Sequence, residues 1–203
     1  MGIRGYDDTA RLASLAARLD GPRGLLPALF CLTDPDRTPD LIGLAHALPP
    51  TTGLIIRTYG QPAIQDQTPE LVRIRHALGG LCLIAADPEL ARQSGADGVH
   101  WPERWLTRTH VRASDGLIST SAHSPMALRR VQGLADFVLV SAVFASNSPS
   151  AGRPMGPFRL AAHARRSRTP VYALGGINTK TIKRLNNLGV SGAGAIGALA
   201  VNR

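Results

Sequence analysis

The chain has little cysteine, few aromatic residues and no long apolar run. Only Cys31 and Cys82 occur among 203 residues, and both lie in apolar stretches, which favours buried free thiols over a disulfide. Aromatic residues make up 4% of the sequence, so the core has to be aliphatic. No stretch approaches the roughly 20 apolar residues that cross a bilayer, and residues 1–22 lack the apolar segment of a secretory signal. We therefore expect a cytoplasmic protein without a membrane partner.

Negative charge is also scarce. The sequence has 23 Lys and Arg against 14 Asp and Glu, a net charge of +9, and Lys180 and Lys183 are its only lysines. These basic residues either only cover the solvated surface or attract an anion, which could be nucleic acid or a small phosphorylated molecule. Aromatic residues that would stack on nucleic-acid bases do not alternate with the arginines. The composition therefore favours a small phosphorylated ligand and no nucleic-acid partner.

Eight short apolar runs alternate with helical patterns along the chain. The predicted strands are 29–33, 53–57, 81–85, 98–100, 117–119, 137–141, 171–174 and 192–196. Helices are predicted at 10–19, 41–48, 71–78, 126–132 and 179–188, with a short one opening at 87–89. Strands that are apolar on both faces indicate a parallel sheet covered by helices. We therefore predict an α/β fold, a single (β/α)8 TIM barrel over residues 1–203, whose bottom is closed by an N-terminal helix within residues 1–22.

Two glycine clusters follow the last two predicted strands. Loops at these places form a phosphate cradle in barrels, because glycine lets the backbone approach an anion and free N–H groups point at it. A tight turn would explain Gly175-Gly176 equally simply. The second cluster favours the phosphate, and the predicted cradle consists of Gly175, Gly176, Gly194, Ala195, Ile196 and Gly197.

Polar side chains that can act on a phosphate ester follow other strands. Arg57 ends the second strand, and its planar fork suits either a bidentate grip on phosphate or a salt bridge at the rim. Asp87 follows the third strand and is either a Mg²⁺ ligand or only a helix N-cap. His100 and His123, at the ends of the fourth and fifth strands, are either general acid–base groups or structural residues. Hydroxyl groups cluster beyond strands five and six, at Ser119, Thr120, Ser121, Ser141, Ser146 and Ser148.

The order of these motifs resembles the thiamine-phosphate synthase / TenI family from about residue 29 to residue 200. The matching pieces are LTDP (32–35), LIIRTYG (54–60), AADPELARQSGADGVH (85–100), TSAHS (120–124), ADFVLVSAVFASNS (135–148), TPVYALGGIN (169–178) and GVSGAGAIGAL (189–199). The resemblance implies an enzyme, a transferase that joins a pyrimidine pyrophosphate to a thiazole phosphate and releases pyrophosphate with Mg²⁺. Related barrels often self-associate, so a homo-oligomer stays open.

The resemblance also assigns roles to individual residues. Arg57 and Ser121 correspond to pyrophosphate contacts, and Asp87 to a ligand of the Mg²⁺ cofactor. Ser146 and Ser148 stand where the family contacts the thiazole phosphate, next to the glycine cradle. Together with the acid–base chemistry of histidine, this predicts His123 and Ser121 as the catalytic residues.

Several positions depart from the family pattern. Trp105 stands at the second metal carboxylate, Ala86 at an asparagine, Tyr59 at a basic residue, Pro149 at a lysine, and Ser141-Ala142 at the catalytic histidine of the TenI branch. Three hypotheses follow: a divergent synthase, a TenI-like thiazole tautomerase or isomerase that uses His123 or His100, or a non-catalytic protein that binds a thiamine-related phosphate.

Overall fold

The computed structural model of the chain describes residues 4–105, 116–146 and 152–196. Eight parallel strands form one closed barrel in sequence order, and β8 pairs with β1 to complete the ring. The strands are β1 Leu29–Leu32, β2 Thr52–Ile56, β3 Cys82–Ala85, β4 Gly98–Trp101, β5 Leu117–Ala122, β6 Phe137–Val140, β7 Val171–Ala173 and β8 Gly192–Ala195. The predicted (β/α)8 barrel is confirmed.

Helices cover the outside of the barrel. They are α1 Arg4–Ala16, α2 Leu41–Ala47, α3 Pro62–Ala77, α4 Pro88–Ser94, α5 Pro125–Val131, α6 Pro157–Ala164 and a 3₁₀ helix at Ile182–Leu185. Three of the N-caps use a side chain: Asp40, Asp87 and Ser124 each accept a backbone N–H three residues on. Such caps satisfy amide groups that the first helical turn leaves unbonded, so these three side chains fix where α2, α4 and α5 begin.

Two of the helix boundaries that were predicted wrongly have a clear cause. The helix predicted at 71–78, with Thr68-Pro69 as its start, instead begins at Pro62 and contains Pro69. Pro62 also suits a first helical turn, and the Thr68 hydroxyl donates to the Ile64 carbonyl inside the helix instead of capping it. Over 179–188 the helix shrinks to the 3₁₀ segment, because the Asn178 side chain accepts the nearby N–H groups of Lys180 and Thr181 in a tight turn.

The barrel interior is filled at its N-terminal end by aromatic rings. Phe30 and Phe137 stack with their centroids 4.5 Å apart, and Tyr172 packs against both at 5.6 and 5.0 Å. The Tyr172 hydroxyl donates to the Pro27 carbonyl at 2.9 Å, below β1. Because these residues sit near the starts of β1, β6 and β7, they close the lower half of the barrel, and a large cavity lies toward the C-terminal ends of the strands.

Substituting Gly53 tests how tightly these aromatic rings are packed inside the barrel. A Cβ atom at Gly53 would lie 2.3 Å from the ring of Phe30, so Gly53→Ala forces the buried ring out of place. We expect the free energy of unfolding to fall by about 1–3 kcal/mol, the usual range for overpacking. Urea denaturation measures it, with Gly152→Ala as control because no atom lies within 4 Å of a Cβ there. Equal stability of the two variants would contradict the packing described.

The outer layer and the thiols complete the fold. Leu12, Ala13 and Ala16 of α1 are buried in the core between the strands and the surrounding helices. Leu26, which precedes β1, instead packs against the cluster inside the barrel that contains the three aromatic rings. Two predictions stay open: that residues 1–22 close the bottom of the barrel, and that residues 1–203 form one domain.

Both cysteines are free and buried, and burial raises the pKa of both thiols. Among the described helices, none is long and apolar enough for a membrane span.

Candidate functional site

A cavity of about 990 Å³ opens at the C-terminal ends of the strands. Residues that follow every one of the eight strands line it, because all eight loops meet at this end of a parallel barrel. The predicted site residues that line it are Arg57, Asp87, Ser121, His123, Ser146, Gly175, Gly176, Gly194, Ala195 and Ile196. Ser148 and Gly197, which were also predicted, lie outside the described residues. The structure thus brings the described candidates together in one place.

The glycine turn after β7 presents two backbone amides to this cavity. Gly175 and Gly176 both have positive φ angles, 90° and 64°, and their N–H groups donate to no acceptor in the described part of the chain. The loop after β6 fixes the turn, since the Phe144 N–H donates to the Gly175 carbonyl at 3.1 Å. A Cβ at Gly176 would lie 2.3 Å from the Ala145 carbonyl oxygen. Only glycine therefore permits this close approach, and the binding of an anion by the two amides, as in other turns of this kind, stays a prediction.

Arg57 lies directly beyond β2 and is held from two sides. Its Nε donates to the Thr33 carbonyl at 2.6 Å, and one terminal nitrogen contacts the Asp34 carboxylate at 3.3 Å. Burial lowers the pKa of Arg57 below its ordinary value, yet an arginine remains charged. The rim salt bridge is thus observed, and the guanidinium also lines the cavity, while its grip on phosphate stays a prediction. Its position is fixed before any ligand binds.

His100 is buried in the barrel wall between two serines. Its Nδ1 lies 2.8 Å from the Ser119 hydroxyl, and its Nε2 lies 3.1 Å from the Ser121 hydroxyl. Burial lowers its pKa to about 3, and the charge of Arg57 acts in the same direction. The ring is therefore neutral near neutral pH, so that one nitrogen donates and the other accepts. His100 is placed to orient the Ser121 hydroxyl toward the cavity.

His123 differs from His100 in its surroundings. It is exposed at the mouth, and its Nδ1 lies 2.9 Å from a Glu103 carboxylate oxygen. The other Glu103 oxygen accepts from Arg130 at 3.1 Å. A carboxylate that fixes one ring nitrogen of a histidine leaves the other to exchange a proton. This geometry agrees with the acid–base role predicted for His123, which stays a prediction.

Asp87 is the N-cap of α4. Its Oδ1 accepts the Leu90 N–H at 2.9 Å, so the capping interpretation holds. Within the ranges that the structure describes, no group of three or more His, Cys, Asp or Glu side chains could hold a metal ion. The Mg²⁺ role of Asp87 stays a prediction that rests on the family resemblance.

Sequence reasoning did not single out two arginines of the site. Arg37 follows β1 and Arg104 follows β4, and both line the cavity. Each is a single arginine in a loop, and the signal that could have found them is their place just after a strand, as for Arg57. Tyr59 and Trp105, at two departures from the family pattern, are 59% and 43% exposed and lie beside Arg57 and Arg104 respectively.

Comparison with known proteins identifies relatives of this chain. A family model described as "Thiamine monophosphate synthase" matches residues 44–199. A thiamine-phosphate synthase of Gloeobacter violaceus is 32% identical over 188 residues, 87% of this chain and 52% of that protein. A relative from Geobacter sulfurreducens is 34% identical over 133 residues, 63% of this chain and 62% of that protein. The matched parts thus span less than two thirds of these relatives.

A solved structure shares the fold. The thiamine phosphate pyrophosphorylase from Pyrococcus furiosus superimposes with a TM-score of 0.74 at 22% identity, over 88% of this chain and 91% of that one. At this identity, the likeness concerns the fold.

Proposed function

Because the chain belongs to the thiamine monophosphate synthase (TMP-TENI) family, we propose that it forms the carbon–nitrogen bond of thiamine phosphate. The observation that carries the proposal is that one cavity is lined, at two separate places, by groups that are suited to bind an anion. Arg57 lies beyond β2, and the free amides of Gly175 and Gly176 lie beyond β7. A synthase of this kind needs two such places, because both of its substrates carry phosphate.

The proposed reaction is a substitution at the methylene carbon of the pyrimidine. The thiazole nitrogen attacks this carbon, a C–N bond forms, and the C–O bond breaks with its electron pair leaving on pyrophosphate. Arg57 stabilises the charge that develops on the leaving group. The Ser121 hydroxyl, oriented by His100 at 3.1 Å, donates to the same group. The glycine amides and Ser146 hold the thiazole phosphate.

The Mg²⁺ ion implied by the resemblance would meet one carboxylate, not two, among the described residues lining the cavity. Asp87 is that carboxylate, and one of its oxygens already accepts the Leu90 N–H. Trp105 stands at the second ligand position, and an indole cannot ligate Mg²⁺, so the remaining oxygens of the octahedral shell would come from the substrate phosphates and water. No step of the proposed reaction is therefore assigned to a metal ion.

A second candidate rests on His123 and Glu103. Their 2.9 Å contact at the cavity mouth is the geometry of an acid–base pair. Such a pair could move a proton on a thiazole phosphate, as the tautomerase hypothesis requires. Conversion of one thiazole phosphate isomer to another, lost in His123→Gln and without any pyrimidine substrate, would support this reaction over the synthase.

Incubation with the pyrimidine pyrophosphate and the thiazole phosphate, with and without Mg²⁺, tests the synthase proposal. We expect thiamine phosphate and pyrophosphate to appear in equal amounts, measured by chromatography. A ligand-induced rise in melting temperature without either product would instead indicate the non-catalytic binding protein. Absence of both product and stabilisation would contradict any role of the cavity in thiamine-phosphate chemistry.

Arg57→Ala is expected to weaken binding of the phosphate ester by about 1.5–3 kcal/mol, the range for hydrogen bonds to charged groups. Isothermal titration calorimetry with thiazole phosphate and with pyrophosphate measures this, and we expect the larger loss for pyrophosphate. Arg73→Ala is the control, because Arg73 is exposed on α3 and pairs with Glu70. Unchanged affinity in Arg57→Ala would remove Arg57 from the site.

A further inference from the structure

A second serine of β5, Ser119, lies beneath the cavity and takes no part in the proposed reaction. It stands two residues before Ser121, so both side chains lie on the same face of the strand. Ser119 is fully buried, whereas Ser121 lines the cavity. The imidazole of His100, on the neighbouring β4, contacts both hydroxyl groups. The three side chains thus form one row from the barrel interior to the cavity.

The Ser119 hydroxyl has a single place to donate its hydrogen. Within the residues that the structure describes, its one hydrogen-bond partner is the His100 Nδ1, at 2.8 Å. Because Ser119 is fully buried, the hydroxyl does not reach solvent. A buried O–H group without an acceptor is costly, so buried hydroxyl groups take the acceptor that is within reach. The Ser119 O–H therefore donates to Nδ1, and Nδ1 carries no proton.

The tautomer of His100 follows from this donation. Burial holds the pKa of His100 at about 3, so the ring carries one proton near neutral pH. With Nδ1 as the acceptor, the proton lies on Nε2, which then donates to the Ser121 Oγ at 3.1 Å. The Ser121 hydroxyl, which lines the cavity, accepts this bond and keeps its own hydrogen for a ligand.

The opposite arrangement gives the ligand the opposite polarity. If Nδ1 carried the proton, it would donate to Ser119, and the Ser119 hydrogen would be buried without an acceptor. Ser121 would then donate to Nε2 and could only accept from a ligand. A phosphate oxygen needs a donor, whereas an amino group needs an acceptor. The direction of the row therefore decides which kind of ligand atom Ser121 contacts.

We propose that Ser119 is a positioning residue, which fixes the Nε2–H tautomer of His100 and so leaves the Ser121 hydroxyl to donate to an anionic oxygen of the ligand. Ser119, His100 and Ser121 each donate one hydrogen toward the cavity, and hydrogen bonds in such a chain polarise one another. The proposal rests on the proposed function only for the identity of the ligand as a phosphate ester.

The tautomer can be measured on the free protein, without ligand or turnover. A long-range ¹H–¹⁵N correlation spectrum of the ¹⁵N-labelled chain near neutral pH distinguishes a protonated ring nitrogen from a bare one. The signals that disappear in His100→Gln belong to His100. We expect Nε2 to be protonated and Nδ1 to be bare. A proton on Nδ1, or comparable amounts of both tautomers, would overturn the proposal.

Calorimetric titration with inorganic pyrophosphate measures the consequence for the ligand. Ser121→Ala is expected to weaken binding by about tenfold, the lower end for one hydrogen bond to a charged group. Ser119→Ala is expected to weaken binding by about two- to fivefold, because the ring then adopts either tautomer and Ser121 donates only part of the time. Ser119→Thr keeps the hydroxyl and should restore most of the affinity.

A double variant separates positioning from a general effect on the fold. Ser119→Ala/Ser121→Ala should bind as Ser121→Ala does, since Ser119 acts only through the Ser121 hydroxyl. Ser191→Ala is the matched control, because Ser191 is also a buried serine, and its hydroxyl accepts the Val171 N–H at the opposite end of the barrel. It should change neither the affinity nor the His100 signals. Equal weakening by Ser119→Ala with and without Ser121 would contradict the positioning role.

Failure of this inference and failure of the synthase proposal can be told apart. Thiamine phosphate formed by a chain whose His100 carries its proton on Nδ1 would keep the synthase and reject the role of Ser119. A proton on Nε2, with pyrophosphate binding that depends on Ser119 but no product from the two substrates, would keep that role and reject the synthase. No pyrophosphate binding by the parent chain would reject the donor role of Ser121.

Discussion

Replacing Arg75 with methionine is expected to lower the free energy of unfolding by about 3–5 kcal/mol, a large fraction of the stability of an ordinary domain. Arg75 lies on α3 and is fully buried. Its two terminal nitrogens donate to four backbone carbonyls, those of Ala45, Leu48, Pro49 and Thr52, at 2.7–2.9 Å. The side chain therefore links the end of α2, the connection that follows it and the first residue of β2.

Methionine keeps most of the apolar stem and removes every donor. Buried carbonyls would then lose a donor, and each carbonyl left without any partner costs about 1–3 kcal/mol. The sum is expected to fall short of four independent losses, because the carbonyl of the partly buried Pro49 still accepts the Thr52 N–H at 2.9 Å.

Chemical denaturation of both proteins measures the difference. Arg73→Met is the matched control two positions away, where the side chain is exposed, and its effect should stay within about 0.5 kcal/mol. A loss below about 1 kcal/mol in Arg75→Met would show that these carbonyls find other partners.

The same residue shows where sequence reasoning stops. Nothing in the pattern of α3 separates Arg75 from Arg73, since a helical arginine is normally a solvated one. In the sequence, Gly79-Gly80 indicates only the end of a helix. In the structure, a Cβ atom at Gly80 would lie 2.1 Å from the Arg75 guanidinium. The glycine makes room for a side chain whose burial depends on the α2–β2 connection, which no local pattern reveals.

The barrel itself was predictable because its signal is local. The strands are three to six residues long and most are apolar on both faces, as the two-sided burial of a parallel sheet demands. Helix starts were predictable where a capping side chain follows a strand, as at Asp87 and Ser124. They failed at Pro62 and Pro69, because both prolines suit a first turn and only packing selects between them.

The site was predictable in part for the same reason. Glycine pairs and an arginine at a strand end are unusual enough to stand out, and Arg57, Gly175 and Gly176 do line the cavity. Arg37 and Arg104 did not stand out, since the chain carries arginine throughout and a loop has no periodicity to test. The pairing of His100 with Ser119 and Ser121 needs the register of β4 with β5, which only the closed barrel fixes.

That buried histidine gives the second large effect, a loss of stability in mild acid. The folded-state pKa of His100 is lowered to about 3 from an ordinary 6.5, chiefly by burial. As the pH falls below 6.5, the unfolded chain binds a proton at this residue and the native state does not. The stability linked to His100 is therefore complete above that pH and declines as the pH approaches 3.

Proton linkage sets the size of this loss. One proton taken up only by the unfolded state lowers the free energy of unfolding by about 1.4 kcal/mol per pH unit. Between about pH 6 and about pH 4 the contribution approaches roughly 2–3 kcal/mol. His100→Gln should be less stable at neutral pH, because the contacts with Ser119 and Ser121 change, but its stability should fall less steeply over the same interval.

Urea denaturation at several pH values measures the two slopes, and their difference isolates His100 from carboxylates that titrate in both proteins. His46→Gln is the control, since His46 is exposed near the end of α2 and its loss should leave the slope as in the parent chain. Parallel stability curves for His100→Gln and the parent would mean that the imidazole gains its proton in the folded barrel. Ser121 would then face the ligand beside a cation, and the neutral, orienting role of His100 would have to be abandoned.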